Sequence, residues 1–258
     1  VATRTKGAFL VALKNDNTLW TWGVNTYLGD GSAKLTRDFA TQMTHPNSSE
    51  TIKMIGVTNH RYALGEAYYV LMTNGNLYSL GSNIRKQLGD WTTTESLVWI
   101  QPRYNSSSGP VMDNIAWISP QEHDGTGGGF SGNTNAASIN VISNTGTLYA
   151  WGDNPNSMLG FPSASVTADP GIPDGILSTE KILAVKTGGR FTTVIKECSP
   201  NLGFVGLAIY GSKGDGVVTS TINNTYSFIG TPVVSLCGAE GSCVVADTDG
   251  DGVNDGQE

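Results

Sequence analysis

One pattern recurs along this chain, and it restricts the possible folds more than any other feature. A strand-like run ends in a glycine, an Asn or Ser follows within two or three residues, and a Leu-Gly pair comes shortly after. Leu19-Trp20-Thr21-Trp22-Gly23-Val24-Asn25 leads to Leu28-Gly29, and Leu77-Tyr78-Ser79-Leu80-Gly81-Ser82-Asn83 leads to Leu88-Gly89. Leu148-Tyr149-Ala150-Trp151-Gly152-Asp153-Asn154 leads to Leu159-Gly160. A worn fourth copy reads Leu207-Ala208-Ile209-Tyr210-Gly211. The anchoring glycines at 23, 81, 152 and 211 stand 58, 71 and 59 residues apart. Self-similarity at a nearly fixed period marks a stack of supersecondary units, none of which can bury its apolar surface alone.

Each anchored run is preceded by a second apolar run across a turn. Ala8-Phe9-Leu10-Val11-Ala12-Leu13 passes through Asn15-Asp16-Asn17, Ala67-Tyr68-Tyr69-Val70-Leu71-Met72 through Asn74-Gly75, and Ala137-Ser138-Ile139-Asn140-Val141-Ile142 through Asn144-Thr145-Gly146. Asn and Gly tolerate the positive φ that tight hairpins require, so each unit contains a β-hairpin. The fourth hairpin is expected to join Thr192-Thr193-Val194-Ile195-Lys196 to Val205-Gly206-Leu207-Ala208-Ile209-Tyr210. Side chains alternate, with Leu19 and Thr21 on one face and Trp20 and Trp22 on the other, and apolar residues on both faces suit a sheet stacked between sheets. Polar segments between hairpins are followed by Ile52-Lys53-Met54-Ile55, Ile115-Ala116-Trp117-Ile118 and Ile182-Leu183-Ala184-Val185, which read as additional strands of the blades. Val233-Val234-Ser235-Leu236-Cys237 and Ser242-Cys243-Val244-Val245-Ala246 read as the start of a fifth unit.

The 33 glycines and only 14% charged residues agree with a turn-rich sheet protein. No apolar run reaches the roughly 18 residues of a membrane helix, so no membrane insertion is expected. The net charge is −7, but the last twelve residues carry five carboxylates and no base, leaving the rest near neutral. A body of that charge carries no footprint for nucleic acid and no basic face for an anionic membrane. Cys198, Cys237 and Cys243 allow one disulfide in three ways, and buried reduced thiols are the plain alternative. In an exported protein, Cys237 and Cys243 closing a short loop becomes the favoured pairing.

The anchored copies, with Val185-Lys186-Thr187-Gly188-Gly189-Arg190-Phe191-Thr192-Thr193 leading into a further blade, resemble the regulator of chromosome condensation repeat over residues 7–216. The resemblance implies an all-β fold, a β-propeller with four recognisable blades plus a partial one. The complete family form has seven blades, so this chain reads as a partial ring or a fragment of something longer. The family's roles are mostly recognition: nucleotide exchange on a small GTPase, chromatin docking, light sensing and enzyme inhibition. No family site residues carry over, because the Gly-Trp-Arg-His-Thr motif of the photoreceptors and the basic chromatin-binding arm are both absent.

Residues 1–246 form the expected propeller-type domain, and residues 247–258 an acidic linker to a further domain. That linker fits D-x-D-x-D-G-x-x-D-x-x-E at every position. Asp247, Asp249 and Asp251 would supply side-chain oxygens to Ca2+, Val253 its carbonyl, Asp255 a direct or water-borne contact and Glu258 both carboxylate oxygens. The residues before it are strand-like, so it is not a helix–loop–helix hand. It resembles a thrombospondin type 3 repeat, which implies a large secreted or cell-surface protein.

Catalytic signatures are missing: His45, His60 and His123 make no H-E-x-x-H or zinc spacing, and there is no nucleophile elbow or phosphate loop. Glu122-His123-Asp124 beside Gly127-Gly128-Gly129 reads as a solvated loop rather than an acid–base or anion site. Trp91, Trp99, Tyr104 and Trp117 read mainly as blade packing, with Trp91 expected to be the most exposed of them. The main expectation is a non-catalytic binding or scaffold module at the cell surface, such as an adhesin, recognising protein or glycan. The alternatives are a hydrolase or lyase with a site on the propeller face, and an intracellular regulator of a small GTPase or chromatin.

Overall fold

The computed structural model of the chain describes residues 1–6, 8–59, 65–122, 136–162, 166–197, 199, 201–218 and 220–230. Among them lie four antiparallel sheets of four strands, each a meander of consecutive strands. The first holds β1 (Ala2–Lys6), β2 (Phe9–Leu13), β3 (Leu19–Thr26) and β4 (Leu35–Gln42). The second holds β5 (Ile52–Thr58), β6 (Ala67–Met72), β7 (Leu77–Gly81) and β8 (Ser96–Ile100). The third holds β9 (Ile115–Pro120), β10 (Ser138–Ser143), β11 (Leu148–Asp153) and β12 (Thr167–Gly171). The fourth holds β13 (Ile182–Thr187), β14 (Phe191–Lys196), β15 (Leu202–Ala208) and β16 (Thr221–Ile229). The first strands touch in succession, β1 against β5, β5 against β9 and β9 against β13, so they surround an axis from which the blades radiate.

The core is the set of seams between blades, and the strand period explains it. In β6 every residue is buried, because Tyr68, Val70 and Met72 face the first blade while Tyr69 and Leu71 face the third. Phe9, Val11, Leu13 and Leu19 meet that first face, with Phe9 edge-on to Tyr68 at 5.2 Å. Trp151, Ile139 and Val141 meet the second, and Val185, Val194, Val205 and Tyr226 pack on Ile142 and Leu148 across the third seam. A fully buried Leu, Ile or Phe contributes roughly 1.5–3 kcal/mol. A blade alone would leave half of that surface in water. Strand β2 shows this directly, since Phe9, Val11 and Leu13 are buried and Leu10 and Ala12 on its other face are only half-buried.

The anchoring glycine in each third strand has a steric cause. Val24 N–H donates to the Ala8 carbonyl at 2.9 Å, Ser82 to Glu66 at 2.8 Å, Asp153 to Ala137 at 3.1 Å and Leu207 to Arg190 at 3.0 Å. At Gly152, φ is +101° and a Cβ would stand 2.2 Å from that carbonyl. The fourth member of this set is Gly206, at φ +108° with a Cβ 2.5 Å from the Arg190 carbonyl, and not Gly211. The expected fourth copy is therefore five residues out of register, and its strand is β15, Leu202–Ala208. Leu80 and Val205 hold the place of Trp22 and Trp151, so the wedge residue before the glycine need not be aromatic.

The Leu-Gly pairs form part of the seams. A Cβ on Gly29 would meet the Trp99 indole of the next blade at 2.6 Å, and one on Gly89 would meet Trp151 at 2.8 Å. The conserved-looking Asn of the repeat holds this loop in place: Asn83 Oδ1 accepts from Leu88 N–H, and Asn154 Oδ1 from Leu159 N–H, both at 2.9 Å. The segments read as polar spacers contain the outermost strands β4, β8, β12 and β16. The fifth-unit residues 233–246 lie outside the described residues.

Gly206→Ala should destabilise the chain by more than about 1 kcal/mol, because the methyl meets backbone in a conformation alanine disfavours. Gly211→Ala, where no atom lies within 4 Å of the added carbon, should cost less. Chemical denaturation of the pair checks the order, and equal losses would contradict the reassigned register.

Candidate functional site

The inner strands end in a polar knot. Lys6, the last residue of β1, is 0% exposed. Its ammonium donates to the Gln121 carbonyl at 2.7 Å, the Ala136 carbonyl at 3.1 Å and Thr58 Oγ1 at 3.3 Å, and also contacts Gln121 Oε1. Thr58, the last residue of β5, has its hydroxyl 2.9 Å from the Gln121 carbonyl. Thr187, the last residue of β13, continues the ring of contacts: its N–H donates to Ser119 Oγ at 2.9 Å and its hydroxyl to the Ser119 carbonyl at 2.5 Å. Asn140 Nδ2 donates to the same hydroxyl at 2.8 Å. Strand ends from all four blades are thereby tied together at the axis.

Beside this knot the inner strands form a groove. Its middle is a depression of about 80 Å³ that brings together Arg4 of β1, Met54 of β5, Trp117 of β9, Lys186 of β13 and Glu122. Toward one end a depression of about 550 Å³ opens between Trp117, Ser143, Thr145, Lys181 and Leu183. Toward the other, one of about 460 Å³ opens beside Lys186, Gly188, Gly189 and Phe191. Trp117 is 47% exposed and Leu183 57%, both on the strands that wall the groove. Burial pushes the Glu122 carboxyl above its usual range, while Arg4, Lys186 and Lys6 pull it back. Arg4 Nε stands 3.4 Å from Glu122 Oε1.

The near-neutral average of the sequence conceals a segregation of charge. β1, β5, β9 and β13 carry Arg4, Lys6, Lys53 and Lys186 and no acidic residue. Sequence reasoning passed over these cations because they are scattered across the repeats at intervals of tens of residues. The signal was available only once the first strand of every blade had been aligned.

The calcium ligands expected at Asp247, Asp249, Asp251, Val253, Asp255 and Glu258 lie outside the described residues, as do all three cysteines, His60, His123, Asp124 and Gly127-Gly128-Gly129. Among the described residues no group of three or more His, Cys, Asp or Glu side chains stands close enough to hold a metal. His45 is a linker residue between blades: its Nδ1 accepts from Asn47 N–H at 3.2 Å, and burial lowers its pKa. Trp91 is not the exposed aromatic. Its Nε1 donates to the Arg103 carbonyl at 3.1 Å and the ring is half-buried. Trp99 donates to the Thr44 carbonyl at 2.7 Å and Tyr104 packs on Tyr149 at 5.1 Å, which leaves Trp117 as the tryptophan that faces the groove. No described helix is long and apolar enough to cross a membrane.

No protein-family model and no curated protein matches the chain. Solved structures do. Human WBSCR16 superposes with a TM-score of 0.62 at 13% identity, over 90% of this chain and 53% of that one. Prp20p from Saccharomyces cerevisiae, described with its binding properties to Gsp1p and histones, superposes with a TM-score of 0.59 at 15% identity, over 89% of this chain and 50% of that one. The chain thus shares the β-propeller fold of these proteins and spans about half the length of each.

Two expectations follow for the axis. Lys6→Met removes the ammonium from the Gln121 and Ala136 carbonyls, the Thr58 hydroxyl beside them can donate to only one of the two, and an unsatisfied buried acceptor costs about 1–3 kcal/mol. The variant should lose at least about 2 kcal/mol in denaturant titration, and wild-type stability would show the knot to be dispensable. Glu122, raised in the folded state, favours folding below its unfolded pKa and loses that contribution as pH rises through the folded value. Glu122→Gln should therefore narrow the difference in melting temperature between pH 4 and pH 7.5, with the variant gaining on wild type at the higher pH.

Proposed function

We propose that this chain is a non-catalytic protein-binding platform, and that its working surface includes the axial groove. The observation that carries the reading is the convergence of Arg4, Met54, Trp117 and Lys186, one from each blade, on one depression beside an exposed indole. Exposed aromatics with flanking cations are the usual anchors of protein recognition. The likeness to Prp20p, whose binding to Gsp1p and histones is named with its structure, supports the intracellular reading, a regulator of a small GTPase or of chromatin. Fold alone does not transmit function, so that choice rests on the likeness as analogy.

The secreted, adhesin-like setting with protein or glycan partners rests on residues 247–258 and on no comparison. Calcium ligation by Asp247, Asp249, Asp251, Val253, Asp255 and Glu258 stands as a proposal from the sequence. Calorimetric titration of calcium into the chain and into Asp251→Asn tests it, and absence of heat with both removes it.

Biolayer interferometry on the immobilised chain tests the main reading with four analytes: a nucleotide-free small GTPase, core histones, a matrix protein and a panel of cell-surface glycans. Saturable binding of the GTPase, or of histones through surfaces outside the cationic groove, is expected at micromolar concentration or below. Binding of the matrix protein or glycans alone would move the chain to the cell surface. Failure of all four would remove the binding-platform reading.

A further inference from the structure

We propose that the groove between β9 and β13 holds an extended acidic segment of a partner protein, with Trp117 and Leu183 as its apolar floor and Lys186, Lys53 and Arg4 as its charge partners. This rests on the protein-binding reading above and names the chemistry of the partner.

The form of the occupant follows from the topology. β9 and β13 are each the innermost strand of their sheet, paired by a strand on one side only. A long, narrow wall of this kind suits an extended chain better than a helix, even though the Ala116 and Ser119 carbonyls of β9 and the Thr187 N–H of β13 already have partners. The three depressions follow the six-residue strand β13 from Lys181 at one end to Phe191 past the other. At about 3.3 Å per residue that is roughly 20 Å of wall, room for some six extended residues.

The charge of the occupant follows from the segregation described above. A chain that is near neutral outside residues 247–258 places only cations on its inner strands. The Lys186 ammonium makes no hydrogen bond or close ion pair among the described residues and feels Glu122 only at longer range, and Lys53 Nζ meets only a backbone carbonyl there, that of Ala116 at 2.9 Å. Among the described residues Glu122 is the one carboxylate lining the central depression, and Arg4 stands against it. Such an arrangement attracts a negatively charged partner over several ångströms and disfavours a basic one. The exposed indole and Leu183 require an apolar residue within that acidic segment. A nucleic acid would meet the same cations but would leave Leu183 without a partner.

Fluorescence anisotropy tests this with a labelled twelve-residue peptide of Glu and Asp carrying one central Phe, a control peptide with Lys in place of every acid, and labelled oligo-dT. The acidic peptide is expected to bind at micromolar concentration, at least tenfold tighter than the Lys peptide, and more weakly as salt rises. Lys186→Glu and Trp117→Ala should each weaken it at least fivefold, with circular dichroism confirming the fold; Lys186 is exposed, so its variant keeps the test sound if Trp117→Ala unfolds. Equal binding of both peptides, or insensitivity to Lys186→Glu, would overturn the groove assignment. Tighter binding of oligo-dT with the same Lys186 dependence would replace the peptide by nucleic acid. If Lys186→Glu leaves a protein partner from the interferometry panel bound as before, the groove fails and the binding platform stands. If no protein in that panel binds, the platform reading fails first and a bound acidic peptide is a property of the groove alone.

Discussion

The architecture depends on how the inner strands are held to one another at the axis. Hydrogen bonds within a meander build each blade, and backbone bonds such as Ile115 N–H to the Gly75 carbonyl and Ile182 N–H to the Gly146 carbonyl pin neighbours at their outer turns, but the apolar seams between are non-directional. Direction comes from the ends of the inner strands. The Lys6 ammonium joins β1 to the Thr58 hydroxyl of the second blade and to the Gln121 and Ala136 carbonyls of the third, and the Thr187–Ser119–Asn140 contacts join the third to the fourth. Desolvating an ammonium is expensive, and only a full shell of oxygens offsets it. The same cost makes the arrangement specific, because a blade shifted by one residue would leave the cation without its acceptors.

Around that axis the seams supply the bulk of the stability, and the repeat can be understood through them. The anchor glycine lets the third strand turn against a carbonyl of the second, and the Leu-Gly pair lets an aromatic of the following blade lie on backbone. In the second seam both effects meet: Trp151 lies on Gly89 while its Nε1 donates to the Gln87 carbonyl at 2.9 Å, and Tyr69 donates to the same oxygen at 2.8 Å. The indole thus fills volume and satisfies a loop carbonyl that would otherwise be buried unpaired. Lys86 adds an ion pair across the same seam to Asp169 at 2.5 Å.

Much of this was legible in the sequence wherever sterics demand a residue type. Gly23, Gly81 and Gly152 could be read because no side chain fits there, and β6 and β10 because both of their faces are buried. The fourth blade misled because Tyr210-Gly211 imitates the aromatic-Gly pair in a turn, whereas the true anchor follows Val205, and volume rather than aromaticity is what the seam requires. The outer strands were illegible for the opposite reason. In β4 the run Leu35-Thr36-Arg37-Asp38-Phe39 is exposed or half-buried throughout, so no burial pattern distinguishes it from a loop. Its Phe39, 84% exposed, resembles a core residue only in isolation. The groove could not be read at all, since Arg4, Lys53, Trp117 and Lys186 become neighbours only after four blades have been placed around one axis.

The inner strands therefore serve two purposes at different points along their length. Their last residues are buried polar groups whose partners are fixed, and there a change of charge or size would loosen several blades together. Along the rest of their length they carry exposed side chains, Trp117, Leu183 and Lys186, which no seam requires. Packing does not explain an exposed indole and a run of cations on one wall of a body that is otherwise near neutral, since smaller neutral residues would satisfy the same strands. Apolar surface left in water and like charges brought near one another both carry a cost in the isolated chain. A complementary ligand would remove both costs at once, and that is the physical reason to regard the axis as a place of recognition as well as of assembly.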